Sequence, residues 1–114
     1  SSLGFYYTDG TYFGKHGLSL YLEGIEQNIN HNARDRYIVI HGASYVNEDF
    51  IKKYGRLGRS HGCPALPFKT HKKIIQTIAG QSCVYINGKS ETYVNQSSVL
   101  KSYFSANLNT IVSN

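Results

Sequence analysis

Cys63 lies in Gly58-Arg59-Ser60-His61-Gly62-Cys63-Pro64, a glycine-bounded stretch with no regular hydrophobic period. A second histidine, His41, follows the apolar run Tyr37-Ile38-Val39-Ile40 and precedes Gly42. A thiol becomes a strong nucleophile when a neighbouring base raises its thiolate fraction at neutral pH. Glycines allow backbone N–H groups to come close to a reacting carbonyl. A thiol, a base and such glycines are the parts of a covalent cysteine site. Cys63 is therefore the candidate nucleophile and His41 the candidate base. A cysteine bounded by Gly and Pro next to a histidine is a poor candidate for the core.

These residues need rigid supports. The run Tyr37 to Ile40 reads as a central buried strand, with His41 and Gly42 where the chain leaves the sheet. Gly4–Tyr7 and Thr11–Phe13 flank Thr8-Asp9-Gly10 and read as a hairpin, and Leu18–Leu22 as a further strand. Residues 24–36, rich in Asn and including His31, read as loop. Asn47 caps a short helix with acids in its first turn, Lys52 and Lys53 in its last, and Gly55 as its stop. A long reactive loop then runs to Pro67. A second helix spans about Lys69 to Ala79, with His71, Ile74, Ile75 and Ile78 on one face. Ser82 to Ile86 reads as a strand in which Cys83 is a small buried residue. Asn87-Gly88 marks a turn, Thr92–Val94 a strand and Ser98–Ala106 a helix. The expected fold is mostly β with a few helices, a curved sheet around a cleft. Residues 1–114 are expected to form a single domain.

The motifs have a precedent. His41-Gly42, a spacer and Ser60-His61-Gly62-Cys63 resemble the L,D-transpeptidase catalytic domain of the YkuD type. The longer string Gly58 to Pro67, with Gly14-Lys15-His16-Gly17-Leu18-Ser19-Leu20 and Ile40-His41-Gly42-Ala43, is similar to its murein L,D-transpeptidase branch. The resemblance covers about Ser1 to Ile86. It implies a curved sheet or sandwich with a catalytic loop over a cleft, and further strands upstream of Ser1. It also implies an enzyme of the cell-wall side, periplasmic or otherwise extracytoplasmic, acting on peptidoglycan stem peptides. Cys63 would attack the carbonyl of the third residue of a tetrapeptide stem and expel D-alanine. The thioester would pass to an amine of a second stem, forming a 3-3 cross-link, or to water in an L,D-carboxypeptidase. The resemblance makes His41 the base and gives the Gly42 carbonyl the task of orienting it. Backbone N–H groups near Gly62 and Cys63 would bind the oxyanion, and His61 would be accessory to the thiol. The chain has Ala65 where many members carry Arg or Asn, so a polar contact would have to come from elsewhere, such as Arg59 or Arg56.

The surrounding residues admit plainer roles. Arg59 can anchor a substrate carboxylate or pin the loop. Ser60 bonds within the loop, and Gly62 serves backbone geometry. His16 and Tyr12 lie near strand ends, where they can line the cleft or face solvent. His71 reads as a packed histidine and His31 as a surface one. No cofactor is expected. A zinc site from His41, His61 and Cys63 lacks the paired spacings of structural zinc, so no metal is expected either. A Cys63–Cys83 disulfide would block the nucleophile and is not expected.

The 40% hydrophobic content is enough for a globular core and argues against disorder. Ten tyrosines and five phenylalanines favour strands and an aromatic cleft. A net charge of +5 suits an anionic wall polymer, or simply solubility. The basic residues are scattered and carry no nucleic-acid motif, so nucleic acid is not an expected partner. No apolar run approaches the length of a membrane span. A non-catalytic wall-binding module on the same fold is the competing reading.

Overall fold

The computed structural model describes residues 2–58, 62–88 and 90–103. Its elements are β1 (Gly4–Gly14), β2 (Gly17–Gly24), β3 (Val39–Ala43), α1 (Glu48–Tyr54), β4 (Ala65–Pro67), α2 (His71–Ile78), β5 (Cys83–Ile86) and α3 (Glu91–Gln96). The strands form one mixed sheet in the order β4-β3-β2-β1-β5. All neighbours are antiparallel except β3 and β4, which are parallel. The expectation of a mostly β fold with a few helices is met.

The sheet has one apolar and one mixed face, because successive side chains on a strand point to opposite sides. Leu18, Leu20 and Leu22 of β2 turn to the core and meet Tyr6, Ile38, Ile40 and Ile75. Ile75 comes from α2, which covers this face with His71 also buried. Ser19 and Tyr21 of β2, with Val39 and His41 of β3, alternate to the other face.

Helix α1 buries none of its residues, so its ends hold it. The Asn47 side chain accepts from Phe50 N–H at 2.7 Å. The Gly55 N–H donates to the Ile51 carbonyl at 2.7 Å, with Gly55 in the left-handed region. Both caps are those the sequence predicts.

Several boundaries differ from expectation. Thr8-Asp9-Gly10 is no hairpin turn: β1 runs through it, with an irregularity in its pairing to β2 between Thr8 and Thr11. Distant backbone overrides the local turn signal, since Thr8 N–H donates to the Ser82 carbonyl and Gln81 N–H to the Thr8 carbonyl. The real turn is Lys15-His16, closed by the Gly14–Gly17 pair. Tyr37 is a turn residue at φ 56°, and the strand runs from Val39 through His41 and Gly42. Ala65-Leu66-Pro67, expected as loop, forms the edge strand β4, where proline is tolerated. Ile74 on α2 is exposed rather than packed. Cys83 is exposed because it alternates with Val84 and Ile86, which turn to the core, and so points to the other face of β5.

Thr92–Val94 lies in helix α3, not a strand. Ser90 caps that helix by accepting from Tyr93 N–H at 3.1 Å. Burial of Tyr93 then overrides the β propensity of Thr and Val, because its hydroxyl donates to buried Glu26 at 2.8 Å. The Ser97 hydroxyl donates to the other Glu26 oxygen, and Phe5 N–H donates to the carboxylate at 3.0 Å. Residues 98–103 are helical; the rest of the expected Ser98–Ala106 helix lies outside the described residues.

Candidate functional site

β3 supplies His41, whose residue is 4% exposed. Its Nδ1 lies 2.9 Å from the Gly42 carbonyl oxygen. A carbonyl only accepts, so we assign the neutral ring's proton to Nδ1 and the basic lone pair to Nε2. Gly42 makes this geometry possible. A Cβ there would lie 2.6 Å from Phe68 Cδ1 and 2.9 Å from His71 Cγ. Only glycine fits beneath Phe68 and α2 while its carbonyl stays on His41.

The strand pairing brings Cys63 to the same place. In the parallel β3–β4 pair, His41 stands opposite Ala65. The His41 N–H donates to the Pro64 carbonyl at 3.1 Å. Backbone bonding thus docks the residue after Cys63 against His41. The half-buried Cys63 packs partly on the core, and its Sγ donates to the Tyr37 carbonyl at 3.5 Å. Gly62, at φ 117°, adopts a conformation that side chains rarely enter.

A cavity of about 740 Å³ joins these groups. Its lining includes Cys63, His41, His16, Tyr12, Tyr37 and Tyr45. Lys15 also lines it, and no carboxylate does among the described residues. The β1–β2 turn places His16 on His41, with ring centroids 4.5 Å apart and 26° between planes. Desolvation, followed by the proximity of His41 and Lys15, holds the His16 pKa below its ordinary value.

A family model described as the L,D-transpeptidase catalytic domain matches residues 1–87. This chain belongs to that family. The match includes every strand of the sheet, together with His41 and Cys63. No curated protein and no solved structure matches the chain significantly. The transpeptidase family acts on peptidoglycan and is associated with the cell wall. Among the described residues, no helix is long and apolar enough to cross a membrane.

For this L,D-transpeptidase domain, the sequence-based candidates fall into two sets. Cys63, His41, Gly42 and Gly62 meet at the β3–β4 edge, and His16 and Tyr12 line the cavity there. Arg59, Ser60 and His61 lie outside the described residues. Arg56 turns to its own backbone, donating from Nη1 to the Leu57 carbonyl at 2.9 Å. His71 is packed, as expected. His31 is exposed but does have a partner, since its Nδ1 accepts from Asn28 N–H at 3.0 Å. Cys63 and Cys83 are not joined in a disulfide. Among the described residues, no group of three His, Cys, Asp or Glu stands together as a metal site.

Sequence reasoning missed Val39, Ser19, Tyr37 and Tyr45 as lining residues. The strand period does contain a signal for one of them, since Val39 shares a face with His41.

Proposed function

We propose that this domain is a peptidoglycan L,D-transpeptidase with Cys63 as nucleophile and His41 as general base. The observation that carries this reading is one cavity lined by both Cys63 and His41, with His41 anchored through Nδ1 on Gly42. His41 Nε2 takes the thiol proton. The thiolate attacks the carbonyl of the third residue of a tetrapeptide stem, and a C–S bond forms. The C–N bond to D-alanine breaks as the leaving amine takes the proton from His41. An amine from a second stem then attacks the thioester, giving up its proton to His41. The C–S bond breaks and a 3-3 cross-link results. N–H groups of the Gly62–Cys63 segment are suited to the tetrahedral oxyanion, given the unusual backbone at Gly62. Lys15, with no carboxylate beside it in the lining among the described residues, suits stems that carry carboxylates.

The test is mass spectrometry of a disaccharide-tetrapeptide incubated with the protein and with Cys63→Ala. A dimer formed with loss of one alanine, absent with the variant, is the expected result. A Cys63-dependent tripeptide without dimer assigns the same acyl-enzyme to L,D-carboxypeptidation. An unchanged tetrapeptide from folded protein overturns the catalytic reading and favours a wall-binding module.

A further inference from the structure

The β1–β2 turn holds one exposed side chain against His41. Gly14 pairs with Gly17 across Lys15-His16, making a two-residue hairpin loop. Gly17, at φ 80°, supplies the left-handed backbone that this tight reversal uses. The loop carries His16 over the cavity, where its ring lies against His41 at 4.5 Å. His16 is exposed, so core packing does not explain its place.

His41 is therefore held on an edge by the Gly42 carbonyl and on a face by His16. One hydrogen bond leaves an imidazole free to rock about its ring torsion, whose energy well is broad. A ring stacked on its face narrows that motion. We infer that His16 is a positioning residue, whose stacking holds His41 with Nε2 directed toward the Cys63 thiol and the leaving amine. This assignment rests on His41 being the base. A neutral His16 suits the role, because it presents a π face rather than a second charge to the imidazolium formed in turnover. Desolvation and the neighbouring His41 and Lys15 all oppose charge on His16.

The test compares His16→Ala and His16→Phe with wild type. Loss of an aromatic pair predicts a fall in kcat of about three- to tenfold in His16→Ala, with KM little changed. Phe keeps a flat ring without a titrating group, so His16→Phe restores most of kcat. Nitrogen NMR of His41 gives a readout independent of turnover. Wild type and His16→Phe hold the Nδ1–H tautomer, whereas His16→Ala shows a mixture. Unchanged kcat and an unchanged His41 tautomer in His16→Ala overturn the assignment. So does a His16→Phe protein no better than His16→Ala, or a loss confined to KM, which makes His16 a substrate contact. If wild type forms no acyl-enzyme on Cys63, the proposed reaction fails. The His41 NMR signals then still decide whether His16 fixes the ring.

Discussion

The two faces of the sheet each hold a buried histidine, and the two are alike in their immediate bonds. His41 and His71 are both 4% exposed. Each places Nδ1 by a backbone carbonyl, at 2.9 Å from Gly42 and 3.2 Å from Phe68. They differ in what surrounds the rest of the ring. His41 lies on the cavity with Cys63 and under His16. His71 is the first residue of α2 and lies edge-on to Phe68, and its buried Nε2 has no hydrogen-bond partner among the described residues. Burial and a fixed tautomer are therefore common to a candidate base and a packing residue. A reactive group and room for substrate beside the ring distinguish them. Gly42 separates the two, with its carbonyl on one histidine and its missing side chain facing the other.

The largest expected effects lie on the cavity side. Cys63→Ala removes the attacking atom and lowers turnover below about one-thousandth of wild type. His41→Gln keeps a side chain of similar reach but no useful base, and lowers kcat by about 10²- to 10⁴-fold. Both are measured as product formation by mass spectrometry, with circular dichroism to confirm folding. A His41→Gln protein of wild-type activity would erase the proposed distinction between the two faces.

Gly42→Ala strikes the boundary between them. The added methyl meets Phe68 and His71 inside contact distance, so a ring or the strand must move. The expected destabilisation is about 1–3 kcal/mol by denaturant melt, with turnover falling as the carbonyl leaves His41. Wild-type stability in Gly42→Ala would mean that Phe68 yields easily and that the packing does not demand glycine.

Glu26 sharpens the contrast with His71, because its buried carboxylate is fully engaged. Removing the Tyr93 hydroxyl should cost about 1 kcal/mol. Burial is the main cause that pushes the Tyr93 pKa up to about 12 from an ordinary 10.0, and the Glu26 carboxylate adds to it. The folded protein thus keeps a proton that the unfolded chain releases first. The resulting stability is present below about pH 10 and is lost as pH rises toward about 12. Alkaline melts should show this fall in wild type and a flatter one in Tyr93→Phe. Parallel pH profiles would mean that Tyr93 does not hold α3 on the sheet.

Much of the site was legible in the sequence because its signals are local. His41-Gly42 after an apolar run, and Gly62-Cys63-Pro64, mark a candidate base and a candidate nucleophile without reference to distant contacts. The α1 caps are equally local. Features set by remote pairing were not legible. β4 is three residues long and contains Pro67, so only its pairing with β3 makes it a strand. Asp9-Gly10 carries a turn signal, yet backbone bonds from residues 80 and 81 to Asp9 and Thr8 decide its conformation. Tyr93 is helical through Ser90 and Glu26, the latter far away in sequence. The His16–His41 stack follows from the register of a hairpin whose turn the sequence placed elsewhere.

The smallest effect tests the comparison most directly. His71→Leu keeps most of the buried volume, removes an imidazole nitrogen without a partner and gives up the 3.2 Å contact to the Phe68 carbonyl. Leaving a buried polar group unpaired costs about 1–3 kcal/mol, whereas a typical hydrogen bond contributes about 0.5–1.5 kcal/mol. The two changes oppose each other, so stability should stay near wild type or rise slightly. Turnover should not move, because His71 does not line the cavity and the substitution leaves the backbone of its neighbours Gly42 and Gly17 in place. A large loss of kcat at unchanged stability would show that the imidazole fixes Gly42 and, through its carbonyl, His41. The two faces would then be a single device, with the packed histidine setting the orientation of the reactive one.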